Sequence, residues 1–163
     1  MHLAERDRDP RGNETIEEST EEGPALRDAS LAATRAAEDE EAAAAAREGF
    51  RIAPIEPIEA DEAIRPHLAA DVRVHALRRH AILRAPGGEG ALGYGGTLYL
   101  TSRRLIHLGQ VVVSVNVSDV KESSLAGERL LLTLREGEGM SIDVDRPRLL
   151  RAEMAEIGRG LRR

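Results

Sequence analysis

Through the second half of this chain apolar residues recur at every second position, and near the C-terminus they change to spacings of three and four. That pattern predicts a run of strands followed by one helix. Val72 to Arg84 is rich in β-forming residues. Its apolar phase passes from even positions (Val72, Val74, Ala76) to odd ones (Leu77, Ala81, Leu83), as a bulge in one long strand requires. A two-residue turn at Ser102 and Arg103 would pair Leu100 with Leu105 and Leu98 with His107, placing three leucines and a histidine on one buried face. Val111, Val113, Val115 and Val117 share one face of the next strand, and Val112, Ser114 and Asn116 the other.

A weaker strand follows from Asp119 to Leu125, then a turn at Gly127-Glu128. Leu130, Leu132 and Leu134 alternate with Arg129, Leu131, Thr133 and Arg135. Met140, Ile142 and Val144 repeat the pattern against Ser141, Asp143 and Asp145. Opposed residues share a face, so Leu134 needs an even-numbered partner such as Met140, which would set Arg129 opposite Asp145 as a surface pair worth little. The final helix should take Asp145 as its N-cap and Pro147 in its first turn. Leu150, Met154, Ile157 and Leu161 form the stripe it buries against the sheet.

The first fifty residues read differently. They carry a charge of −8, while residues 51–163 carry +2, so an acidic tail precedes a mildly basic body. Residues 1–50 are expected to be a disordered, acidic, Ala-rich tail with a transient helix over 24–48, whose only large apolar residues are Leu26 and Leu31. Pro54 and Pro57 keep residues 51–63 extended as a linker, and a single domain is expected over 64–163. A short helix around Glu59 to Leu68 would be interrupted by Pro66. The chain has no cysteine, no apolar core of a signal peptide at MHLAERDRDP, and no run approaching the roughly 20 apolar residues of a membrane span. A cytoplasmic location is the expectation.

Seven strand candidates and one C-terminal amphipathic helix give the order of the pleckstrin-homology (PH) superfold, and GTLYLTSRRLIHLG sharpens the match. This segment resembles the GRAM and bacterial PH-like families through Gly96, Leu98, Leu100, Thr101, Ser102, Arg104 and Leu105, over roughly Ile64 to Leu161. The resemblance implies a mainly β fold: a bent antiparallel sheet or partial barrel of about seven strands, capped by the helix. It also implies a non-catalytic module that binds proteins or lipids. One departure bears on the ligand: lipid-binding PH domains usually carry basic residues in the loop between the first two strands, and PGGEGALGYGG from Pro86 to Gly96 has neither Lys nor Arg.

No residue pattern supports catalysis. Gly88-Glu89-Gly90-Ala91-Leu92-Gly93 spells GxGxxG, yet a strand follows it where a dinucleotide fold needs a helix. His75 and His80 lie five apart on one strand, so an unbent strand would send them to opposite faces, without a carboxylate partner for a metal. His107 is expected as a hydrogen-bonded core or rim residue. No GxSxG elbow frames a serine, and nothing would raise a pKa at Asp143 or Asp145, so no catalytic residue, metal or cofactor is expected.

Arg78, Arg79, Arg103 and Arg104 form the candidate binding patch, each cation contributing about 1 kcal/mol near an anionic membrane. The tail opposes such attraction. With two Tyr and one Phe the chain offers little base stacking, which argues against nucleic acid. The reading is therefore a binding module for a protein partner, or alternatively a peripheral membrane adaptor that holds acidic lipid head groups through the arginines.

Overall fold

The computed structural model describes residues 2–84 and 94–163, with side chains from Gly23 onward. The Gly88 to Gly93 motif lies outside the described residues. Helix α1 (His2–Ile52) opens the chain, and seven strands follow: β1 (Val74–Arg84), β2 (Tyr94–Thr101), β3 (Arg104–Gly109), β4 (Val112–Asn116), β5 (Val120–Ala126), β6 (Arg129–Leu134) and β7 (Met140–Asp143). Helix α2 (Pro147–Leu161) closes it. Compactness divides the chain into Met1–Glu38 and Asp39–Arg163. Within the first unit Leu26 and Leu31 are exposed. Among the described residues no helix is long and apolar enough to cross a membrane.

All strands of the second unit belong to one antiparallel sheet, ordered β4-β3-β2-β1-β7-β6-β5. The sequence alternation carries it: Leu98, Leu100, Leu105, Leu130, Leu132 and Ile142 converge on one interior, each no more than 3% exposed. Leu150, Met154 and Ile157 of α2 fill its open end. Burying these three side chains contributes roughly 5 to 9 kcal/mol. Leu161, expected in the same stripe, is 40% exposed.

The predicted β2–β3 hairpin is observed: Leu100 pairs with Leu105, Leu98 with His107, and all four are buried. Thr101, fully buried, holds the turn by accepting the N–H groups of Arg103 and Arg104 and donating its hydroxyl to the Arg104 carbonyl. The two strands approach closely beside it. A Cβ on Gly96 would lie 2.3 Å from the Leu108 carbonyl oxygen, so only glycine fits there.

The opposite face of β1–β3 is covered as well. Tyr99, Ile106 and Val74 form a second small core with Ile64, which is fully buried. Residues 53–72 supply that cover: the Ile58 N–H donates to the Val74 carbonyl at 2.8 Å, and a 3-10 turn at Arg65–His67 follows Ile64. Asp61 accepts the Tyr99 hydroxyl at 2.8 Å and the Ile64 N–H at 3.0 Å.

Two expectations are corrected. Leu132, not Leu134, pairs with Met140, so the loop holds two more residues than supposed, and Arg129 faces Asp143 rather than Asp145. Parity was right; the loop length was not fixed by it. The N-cap of α2 is Arg146, in the left-handed region at φ 51°, and it makes no side-chain cap. Asp39 of α1 serves instead. Its Oδ2 accepts the Arg148 N–H at 2.8 Å and its Oδ1 the Leu149 N–H at 3.0 Å, so a carboxylate more than a hundred residues away satisfies the first free donors of the helix. Asp39 is 4% exposed and Ala43, one turn on, is fully buried.

Candidate binding surface at the β1 bulge

Strand β1 is where the ladder is interrupted. Against β2 its register shifts between Val74 and Ala76 and again between Arg78 and Ala81. At the second shift His80 takes φ 57°, a left-handed conformation that costs a non-glycine residue about 1 kcal/mol or more. The alternating sequence demands it: without the inserted residue, Ala81 and Leu83 would leave the interior that Ala76 enters. His107 secures the kink, its Nε2–H donating to the Ala81 carbonyl at 2.9 Å in a site 1% exposed.

The other edge of β1 pairs with Ile58 at Val74 and with β7 at Ile82, Leu83 and Arg84. Between them, from His75 to Ala81, no strand among the described residues adjoins that edge. A groove of about 640 Å³ opens at this seam, walled by Leu77, Arg79, His80, Ile82, Val144 and Asp145. A second depression of about 450 Å³ lies on the β2 side, lined by Gly95, Gly96 and Thr97 with Arg79, His80 and Ile82. Arg79, His80 and Ile82 at the bulge line both hollows.

The seam is held by charge. Arg78 points toward the interior side, its Nε donating to the Asp145 carbonyl at 2.9 Å and its guanidinium meeting Glu153 of α2 at 2.8 Å. Both side chains are little exposed, 12% and 13%. Burial pushes the Glu153 carboxyl above its ordinary range, and Arg78 offsets only part of this. Arg78 therefore bridges β1 to the segment after β7 where the backbone ladder has parted. At the far end Asp143 sits between Arg129, at 2.6 Å, and Arg84, at 2.9 Å. Burial works against its charge, but the two guanidiniums outweigh that and hold its carboxyl below the usual range.

The four candidate arginines do not converge. Arg78 is committed to Glu153 and Asp145. Arg79, the next residue, is exposed at both hollows. Arg103 and Arg104 are exposed at the β2–β3 turn, Arg103 pairing with Asp71 at 2.9 Å. Sequence reasoning missed the apolar floor of the seam, Leu77, Ile82 and Val144. The phase shift that signals the bulge was the clue available.

No protein-family model matches the chain, and no curated protein matches it. Among solved structures, it is similar to a Vps36 N-terminal PH domain, at 15% identity over 66% of this chain and 96% of that one, with a TM-score of 0.52. It is also similar to the C-terminal domain of an unknown protein from Leishmania infantum (13% identity, 54% and 86% covered, TM-score 0.43). A third similar structure is a duf1696 family protein with a pleckstrin-homology domain from Shewanella loihica (11% identity, 61% and 99% covered, TM-score 0.44). The seven-stranded bent antiparallel sheet with its closing helix, together with the first of these likenesses, establishes that this chain has a PH-like fold.

Proposed function

We propose that the chain is a non-catalytic cytoplasmic binding module of the GRAM or bacterial PH type, and that it engages a protein partner at the seam beside the β1 bulge. The supporting observation is the seam itself: a strand edge that no strand among the described residues adjoins from His75 to Ala81, beside the apolar residues Leu77, Ile82 and Val144. An extended segment of another protein can add hydrogen bonds along such an edge while its alternate side chains enter the hollow. Arg79 and His80 at the rim favour an acidic segment.

The membrane reading has less support. Of the four arginines that would hold acidic head groups, Arg78 faces Glu153, and Arg103 already meets Asp71. Co-sedimentation with vesicles of neutral lipid, with and without acidic lipid, separates the two. The protein reading expects the chain to stay in the supernatant with both. Binding to acidic vesicles that is lost in the Arg79→Glu and Arg104→Glu double variant would establish the adaptor reading instead.

A further inference from the structure

The sheet has two ends, and they are finished differently. At one end β5 carries the exposed charges Lys121 and Glu122, and Arg151 of α2 donates to the Ser123 carbonyl at 3.1 Å. Charges and covering side chains are how sheet edges avoid pairing with foreign strands. At the other end β4 (VVSVN) carries no charge. From Leu108 to Ser118 the sequence holds no charged residue, in a chain that is 32% charged.

The outward backbone groups of β4 follow from its register with β3. The Val117 N–H donates to the Arg103 carbonyl at 2.9 Å and the Gly109 N–H to the Val111 carbonyl at 3.4 Å, so odd-numbered residues bond to β3. Val112, Ser114 and Asn116 therefore turn their N–H and C=O groups to the open edge, where the Asn116 carbonyl also closes the 3-10 turn Val117–Asp119 that follows. Their side chains are exposed, Val112 by 51%, and the adjoining Val111 by 52%.

We infer that β4 pairs with β4 of a second copy, antiparallel about a two-fold axis at Ser114. In this register Val112 faces Asn116, Ser114 faces Ser114 and Asn116 faces Val112, so all three outward residues of each strand meet outward residues of the other. Val113 and Val115, half-buried on the inner face, then meet as a cross-strand pair. Charge favours a second copy at this edge: the stretch from Leu108 to Ser118 is neutral, so two copies meet strand to strand without like charges opposed, and the register is complementary to itself. One five-residue strand covers less than the roughly 1,600 Å² of a standard interface, so the dimer is weak and concentration-dependent.

Sedimentation velocity on the full chain over a wide concentration range is the test. The wild type should pass from monomer to dimer as concentration rises. Ser114→Lys, which sets two ammonium groups face to face, and Ser114→Pro, which deletes an outward donor without touching the bonds to β3, should remain monomeric with unchanged circular dichroism. Ser114→Cys, a single thiol in a chain without cysteine, should cross-link to itself with a short bis-maleimide, while Ser118→Cys should not. A wild type that stays monomeric throughout overturns the inference and leaves this edge to an extended segment of another protein. A dimer that both Ser114→Lys and Ser114→Pro preserve overturns it equally.

Discussion

Replacing Asp39 with alanine should destabilise the folded unit far more than its place among the many acids of α1 suggests. The carboxylate accepts two backbone N–H groups at the start of α2, at 2.8 and 3.0 Å, and it also meets Arg148 at 3.5 Å. Loss of a capping residue costs about 1 kcal/mol, and charge-assisted bonds are worth more, about 1.5 to 3 kcal/mol. At 4% exposure Asp39 gains little from water in compensation. The sum is about 2 to 3 kcal/mol, or roughly 5 to 10 °C in melting temperature for a chain of this length. Asp39→Asn keeps an acceptor of the same shape and should lose about 1 kcal/mol, while Glu40→Gln, at an exposed position, should lose less than about 0.5 kcal/mol. Urea unfolding followed by tyrosine fluorescence reads this directly, because the chain has no tryptophan and Tyr99 is buried. If Asp39→Ala unfolds within about 0.5 kcal/mol of the wild type, α2 is not capped from α1 and the reasoning fails.

Other consequences concern the buried polar groups. Burial and the Asp61 carboxylate push the Tyr99 phenol up to about 12, from 10.0. A raised acid pKa favours the protonated folded form, so about 2 to 3 kcal/mol of stability present below pH ~10 should vanish between pH ~10 and ~12. Tyr94→Phe leaves Tyr99 as the only tyrosine, and its tyrosinate absorbance should then appear near pH 12; a midpoint near 10 contradicts the Asp61 contact. Arg78→Ala strands Glu153 in a nearly dry site and should cost about 3 kcal/mol at neutral pH. That deficit should shrink in acid, since a protonated Glu153 needs no counter-charge, and a pH-independent deficit measured by urea unfolding would argue against the pairing. His80→Gly should stabilise the chain by up to about 1 kcal/mol through relief of the positive φ, and a melting temperature below that of the wild type would contradict the bulge geometry.

What could be read from sequence was whatever short-range pattern controls. The β2–β3 hairpin, the valine face of β4 and the bulge in β1 each follow from alternation and turn length over a dozen residues. The second core did not follow, because its cover, Ile64 with Leu68 and Ala60, comes from a proline-containing stretch whose apolar residues show no period. Asp39 was equally invisible: nothing in an Ala-Glu-rich helix marks one of its many acids as the cap of another helix far along the chain. Of the candidate patch, charge identified the exposed residues Arg79, Arg103 and Arg104. It did not separate them from Arg78, whose burial depends on Glu153, 75 positions away.

A protein partner is expected to occupy the seam beside His80. A photoreactive residue placed at position 80, compared with one at the exposed position 122 on β5, tests it in cells that make the protein. The account predicts a specific cross-linked polypeptide from position 80 that is absent from position 122 and disappears when Ile82 is changed to Arg. Identical products from the two positions, or a position-80 product that survives the change at Ile82, would contradict it.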